Sequence, residues 1–344
     1  MTALRELTTM RVGGTPASLK VCGTREDLIA STDELWRSGE DWLILSGGSN
    51  LVAADDLSAL NVIAVATKGI ERMGKGPRGG ELFRVQAGEN WDAFVATTVS
   101  LGLAGIEAMS GIPGLVGAAP VQNIGAYGQE LSDSLVAIEF FDYAEHEVVV
   151  LQAANLGLGY RTSAIKAGRT GLVTWVELEL FDRDGLSSPL TAGQVTADLD
   201  VELGAQVPII DVRNSVLKLR ASKGMVLNPA DPDSVSCGSF FTNPIVSDRF
   251  ARTLPSDAPR WETEADEGRT VKLSAAWLIE HAGIGKGFAL PGSHAAVSGK
   301  HTLAITNRGG ATAQEVRELA EFIQARVSNQ FGLILVPEPN FVGF

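Results

Sequence analysis

From residue 111 to residue 130 the chain reads GIPGLVGAAPVQNIGAYGQE, with five glycines, two prolines and a single charge at Glu130. Neither a helix nor a strand tolerates that density of glycine and proline, because one adds backbone freedom and the other removes an N–H donor. The stretch is therefore a long ordered loop or a binding segment. Bare, nearly uncharged backbone of this kind suits a flat apolar ligand lying against it. The rest of the chain leans the same way: 38 of its 344 residues are glycine, against an average usage of roughly 7%. Much of this backbone must turn tightly or approach something closely.

Three other stretches resist a purely structural reading. LILSGGSNLV (43–52) runs a short apolar strand into Gly47 and Gly48, then Ser49 and Asn50. Glycine amides at a strand end make a nest suited to an anion such as pyrophosphate; a plain turn is the competing reading. YRTSAIK (160–166) groups Tyr160, Arg161, Ser163 and Lys166 beside a strand, where a solvated turn is the alternative. CGSFFTNP (237–244) puts Ser239 between a glycine and two phenylalanines, an odd place for a hydroxyl unless it caps a turn.

A chain of this length is long for one core, so two or three domains are expected. A net charge of −13 argues against nucleic acid, which needs a basic footprint. No run of 18 apolar residues exists and the N-terminus has no apolar h-region, so neither a membrane partner nor export is expected, and the setting is cytoplasmic. Cys22 and Cys237 are then free thiols. The four histidines and two cysteines show no metal spacing, so no metal is expected.

Residues 24–39 read as a helix: Thr24 caps, Asp27 sits at N3, Leu28, Thr32, Leu35 and Trp36 form a face, and Gly39 stops it. Strands are expected at 43–45, 61–67, 81–88 and 170–181, with a hairpin over 136–152 turning at Ala144-Glu145, and a charged glycine-rich loop before residue 81. Asn90 caps a helix burying Trp91, Phe94, Val95, Thr98 and Leu101. A polar connection over 182–206 leads to Pro208, which opens a helix carrying Ile209, Val212, Val216 and Leu219. Thr312 and Glu315 form a capping box for a helix followed by strand 333–336. This alternation without strict βαβ order indicates α+β domains.

The familiar motifs fail on context. GKGPRGG (74–80) holds a literal G-x-G-x-x-G but leads into a strand, whereas the dinucleotide fingerprint opens a helix. SAIK (163–166) lacks the companion motifs of an S-x-x-K enzyme, and His146-Glu147 has no second histidine four residues on. No G-x-x-x-x-G-K-[ST] is present.

Taken in order, TTMRVGG (8–14), LSGGSNLV, QAGENW (86–91), IPGLVGAAPVQNIGAYGQE, YRTSAIK and GSFFTNP resemble the UDP-N-acetylenolpyruvoylglucosamine reductase family. SAAWLIEHAG (274–283), SGKHTLAITNRGGATA (298–313) and LILVPEPNFVG (333–343) continue the likeness, which covers nearly the whole chain and looks like the longer-chain subgroup. The resemblance implies an α+β fold of the vanillyl-alcohol-oxidase/PCMH type, binding FAD between two α+β subdomains, 1–67 and 68–206. A C-terminal α+β substrate domain, 207–344, follows, whose last strand can pack back on the first subdomain. By this likeness Ser46, Gly47, Gly48, Ser49 and Asn50 share the FAD cradle with Ile112, Pro113, Gly114, Gly117, Ala118 and Ala119, and with Gly125 and Tyr127. FAD would be tightly but non-covalently bound, with NADPH as co-substrate and the protein a monomer.

In such an enzyme NADPH reduces FAD and leaves, and UDP-N-acetylglucosamine enolpyruvate takes its place. Hydride goes to C3 of the enolpyruvyl group, so negative charge builds at C2 and the carboxylate, which calls for preorganised donors. Matching the motifs, Arg161 and Glu338 would stabilise that charge and Ser239 would protonate C2. An arginine fork grips a carboxylate through two bonds. Glu338 can donate only if protonated, so burial must raise its pKa against the pull of Arg161. Tyr160, Lys166, Lys223 and Asn243 match positions that bind the UDP-sugar or assist the serine. Departures are visible. Thr242 stands where many members carry lysine, Ala118 and Ala119 where serine is common, and Ala192 where the longer-chain subgroup often has a tyrosine over the nucleotide. Two other readings stand beside this one. Another flavin enzyme of the same fold usually attaches FAD through a histidine near the glycine loop, and none lies within 90 residues of Gly47. A catalytically silent nucleotide-binding protein would tolerate loss of Arg161, Ser239 and Glu338.

Overall fold

A computed structural model describes residues 2–265 and 268–344. They form two compact units, each assembled from separate pieces of chain: unit 1 from Pro16–Gly48 and Ser58–Ser222, unit 2 from Thr2–Thr15, Ser49–Leu57 and Lys223–Phe344.

In unit 1 the first expected helix forms as Arg25–Ser38. Thr24 Oγ1 accepts from the Asp27 N–H, and Gly39 ends the helix at φ 72°. Its buried face carries Trp36, stacked on Phe141 with ring centroids 4.9 Å apart. Beside it lies a three-stranded sheet in the order Pro16–Cys22, Leu57–Val65, Trp42–Leu45, the last two parallel. Strand Pro16–Cys22 escapes sequence reading because only its two end residues are buried, which leaves no alternation to see.

The larger sheet runs Val148–Gln152, Leu135–Asp142, Gly171–Asp182, Glu81–Gln86, Ile70–Lys75, antiparallel throughout. The hairpin turns at Ala144-Glu145 as expected, with Asp142 Oδ1 accepting from the Ala144 N–H at 2.9 Å. Ile70–Lys75 belonged to the expected loop; all six residues are exposed, so the strand carries no apolar signature. The helix Trp91–Ser100 is capped by Asn90 Oδ1 on the Ala93 N–H, and Leu101, expected on its buried face, is instead the C-cap and 51% exposed.

The connection over 182–206 contains a helix, Gly193–Leu199, whose Val195 is buried with Leu190, Val212 and Val216. The last two come from helix Ile209–Ser222, expected to open a separate domain at 207 but found in unit 1. Packing explains the difference, because Ile209 joins the core of the large sheet.

Unit 2 is organised by helix Ala313–Phe331, started by the Thr312/Glu315 capping box and burying Val316, Leu319, Ala320, Ile323 and Val327. Two small antiparallel sheets accompany it: Ile245–Ser247, Gly268–Leu273 and Arg260–Ala265 form one, Ala295–Val297 and Ile305–Asn307 the other. The strand expected at 333–336 does not form. Ile334 and Val336 are 67% and 62% exposed, and Pro337, which lacks an N–H, allows only an isolated bridge to Phe241. The closing strand is Asn340–Val342, parallel to Leu51–Ala53. Among the described residues no helix is long and apolar enough to cross a membrane.

Candidate active site

The glycine loop and the glycine-punctuated segment meet in unit 1. A Cβ built on Gly47 would lie 2.6 Å from Gly114 Cα, and one on Gly117 would lie 2.5 Å from Ala87 Cβ. Gly48 holds φ 57°, the left-handed region. The second segment is fixed by backbone bonds from Trp91 N–H to Gly114 O (3.1 Å), Val116 N–H to Glu89 O (2.8 Å) and Gly117 N–H to Ala87 O (2.9 Å). Ile112 packs on the apolar core, Pro113 and Ala118 are half-buried, and Ala119 is buried in the middle of the 3-10 helix Val116–Gln122. Ser46 Oγ is buried with no hydrogen-bond partner among the described residues. Touching backbone without side chains and an unsatisfied buried hydroxyl fit a cradle for a dinucleotide's diphosphate. Gly47→Val should therefore yield a folded but colourless protein, read as flavin absorbance after gel filtration beside an unchanged circular-dichroism spectrum. A variant that stays yellow with parental FAD affinity removes SGGSN from the site.

YRTSAIK forms a two-residue turn. Gly159 and Thr162 exchange both backbone bonds at 3.2 Å, which leaves Tyr160 and Arg161 at the tip. Arg161 takes φ 53° at the turn position glycine normally occupies. Its Nη2 donates to Gly125 O at 2.6 Å, and its guanidinium carbon lies 5.4 Å from the Tyr160 ring centroid. A Cβ on Gly125 would come within 3.2 Å of Arg161 Nη1. Ser163 Oγ donates to Val121 O at 2.6 Å and Lys166 Nζ to Gln122 Oε1 at 3.2 Å. The turn is thus laid along residues 121–125, next to Tyr127, whose φ is 48°.

In unit 2 the turn before Ser239 is capped by Ser236, whose Oγ accepts from the Gly238 N–H at 3.1 Å; Ser239 is not the capping hydroxyl. Phe240 N–H donates to Leu303 O at 2.7 Å, and Glu338 N–H to Phe240 O at 2.9 Å. Phe240 and Phe241 are fully buried with ring centroids 5.3 Å apart. Asn50 Nδ2 donates to Glu338 O at 3.2 Å, while Ser49 O accepts from Thr9 Oγ1 at 3.4 Å. Ser239, Glu338 and Asn50 are therefore brought together; Arg161 belongs to unit 1. Asn243 Oδ1 accepts from the Ala275 N–H at 3.0 Å, which commits that oxygen to the start of helix Ala275–His281. Cys237, next but one to Ser239, is inert: burial pushes its thiol up to about 12.

Several neighbours of these residues went unread in the sequence. Arg213 grips Asp92 through two bonds (2.7 and 3.0 Å), and Asp92 Oδ1 accepts from the Gly111 N–H at 2.6 Å, which pins the entrance of the cradle segment. Arg220 is buried on the same helix in the field of Tyr127, Asp92 and Arg161, and burial lowers its pKa. Both arginines sit four residues along from Ile209 or Val216, on the apolar stripe, and a charge there is the signal that was available. His301 is held down to about 4, first by burial and then by Lys223 and Lys286. Its imidazole is neutral when folded, so this contribution to stability is complete above the unfolded value near 6.5 and is lost as pH falls toward 4. Between pH 7.5 and 5 the loss is about 2 kcal/mol. His301→Gln should flatten that slope in denaturant titrations at the two pH values; an unchanged slope places the imidazole in solvent.

The likeness to known proteins agrees with this geometry. The FAD binding domain family matches residues 16–152, and the C-terminal domain of UDP-N-acetylenolpyruvoylglucosamine reductase matches residues 230–342. The chain is 54% identical to the UDP-N-acetylenolpyruvoylglucosamine reductase of Leifsonia xyli subsp. xyli, over 99% of this chain and 98% of that protein. It is 46% identical to the reductase of Thermobifida fusca, over 99% and 96%. A crystal structure of the Thermus caldophilus enzyme matches with a TM-score of 0.66 at 26% identity, covering 99% of this chain and 97% of that one. On full-length identity of this order, with both domain families in sequence, the chain belongs to the UDP-N-acetylenolpyruvoylglucosamine reductase family.

Proposed function

We propose that this protein reduces the enolpyruvyl ether of UDP-N-acetylglucosamine to UDP-N-acetylmuramate through FAD, with NADPH as reductant, in peptidoglycan precursor synthesis. The observation that carries the reading is the full-length identity to a named reductase in a chain that also supplies the glycine cradle, Arg161, Ser239 and Glu338. FAD is held without a covalent bond: His146, the histidine nearest Gly47 in sequence, has Nδ1 engaged 2.6 Å from Asp33 Oδ1. The protein acts as a cytoplasmic monomer.

Bound FAD supplies hydride transfer from NADPH to C3 of the substrate. The electron pair left at C2 spreads into the adjoining carboxylate. Arg161 meets that carboxylate with its fork, pre-set by the Gly125 carbonyl and the turn at φ 53°. Glu338, whose N–H is tied to the carbonyl of Phe240 next to Ser239, stabilises the same charge as the protonated, hydrogen-bond-donating acid. The Ser239 hydroxyl gives its proton to C2, a downhill transfer because a carbanion is a stronger base than an alkoxide. Phe240 and Phe241 hold the serine backbone and keep water from competing. Lys223, Tyr160 and Lys166 bind the nucleotide-sugar. The test is direct: purified protein should be yellow, bleach anaerobically with NADPH, and recolour when the enolpyruvyl substrate is added. Bleaching with no recolouring points to a different oxidant, and a colourless protein that takes up no FAD overturns the reading.

A further inference from the structure

TTMRVGG and the loop Asn307–Thr312 carry part of the family likeness; Thr9 is tied to Ser49 and Ser236, but Arg11 and the Asn307–Thr312 loop have no assigned part in the cofactor or substrate site. Within unit 2 they converge on a cleft of about 690 Å3, completed by Arg5, Asp55, Pro229 and Pro232. That volume suits a small ligand. Packing accounts for some of these residues. Asn307 Nδ2 donates to Met10 O and Arg11 O at 3.1 and 3.2 Å, and its Oδ1 accepts from the Gly309 and Ala311 N–H groups. A Cβ on Gly14 would lie 2.1 Å from Asp55 O. Packing does not account for Arg5 and Arg11, whereas Arg308 spends one donor, Nη2, on Val297 O at 3.4 Å; all three line the cleft. The acid that faces them, Asp55, has both oxygens engaged by the N–H groups of Ala313 and Gln314 at 3.0 and 3.2 Å. Three guanidiniums around one committed carboxylate make this cleft a positive spot on a chain of net charge −13. Arg11 also holds φ 54°, a backbone that glycine would adopt without strain, so the side chain is kept at a conformational cost.

We propose that this cleft binds a small polyanion, a metabolite carrying at least two phosphate or carboxylate charges, through Arg5, Arg11 and Arg308. Guanidinium forks match either group with paired N–H bonds, and Pro229 and Pro232 offer an apolar wall to the rest of the ligand. The site is separate from the cofactor and substrate residues assigned above. The FAD-loaded protein should be titrated calorimetrically with pyrophosphate and, separately, citrate, at low and raised salt. We expect saturable binding by at least one probe, weakened by salt, with a raised thermal midpoint. Stronger binding of pyrophosphate assigns a phosphorylated ligand, and of citrate a polycarboxylate. Arg11→Gly combined with Arg308→Gln should weaken it by about tenfold or more. The first change relaxes the backbone and the second keeps side-chain length, so folding is preserved. Lys223→Ala serves as the control for capture at the substrate site. Binding that survives Lys223→Ala and fails in the Arg11/Arg308 variant establishes the cleft. Binding lost in Lys223→Ala but unchanged in the arginine variant, or no binding of either probe, overturns the proposal.

Discussion

Ser239→Ala should bind FAD normally, be reduced by NADPH at the parental rate, and then stall with the enolpyruvyl substrate by on the order of 10²–10⁴-fold. NADPH and substrate use the flavin in turn, so a proton donor to C2 matters only in the second half. The structure sharpens the expectation. Ser236 already caps the turn, so removing the Ser239 hydroxyl costs no cap, and Phe240 stays pinned by backbone bonds to Leu303 and Glu338. Ser239→Cys, which keeps an ionisable proton close to the same place, should recover part of the rate. Anaerobic stopped-flow at the flavin absorbance separates the halves. Reoxidation of Ser239→Ala as fast as the parent would make the hydroxyl structural and the assigned proton donor wrong.

Arg161→Lys keeps the charge and loses the fork, and should slow flavin reoxidation by about 10²-fold or more while reduction by NADPH stays near normal. Arg161→Gly is the informative companion. Glycine adopts the observed φ of 53° without strain, so this variant should keep or raise thermal stability while reoxidation falls at least as far. A parallel drop in both half-reactions, or a loss of stability in Arg161→Gly, would instead show that the arginine is there to hold residues 121–125.

What the sequence made legible follows from where local chemistry is decisive. The helices starting at Thr24, Asn90 and Thr312 were readable because a capping side chain and a stop or apolar stripe mark them within a few residues. The contact between Gly47 and Gly114 has a local trace in the sequence, because only glycine permits that approach. Strands Pro16–Cys22 and Ile70–Lys75 were silent, since their stability comes from neighbours and their exposed residues carry no period. The 333–336 segment misled for the opposite reason: its apolar run looks like a strand, and its pairing is cut short at Pro337. The Asp92–Arg213 grip was out of reach, because a bond between residues 121 apart leaves no local trace.

The parallel pairing of Asn340–Val342 with Leu51–Ala53 has a consequence for how the molecule comes into being. On the ribosome, the strand at Leu51–Ala53 emerges long before its partner, Asn340–Val342. Every piece of unit 1 has been synthesised by residue 222, so that unit can gather its core while translation continues. Unit 2 must leave Thr2–Thr15 and Ser49–Leu57 waiting, with Val52 destined for a core that does not yet exist. Contacts of such long range are slow to close. A chain interrupted before Glu338 should accordingly leave Thr2–Thr15 and Ser49–Leu57 without their partners and lose the Asn50–Glu338 bond with them, exposing Val52 to aggregation although unit 1 is complete.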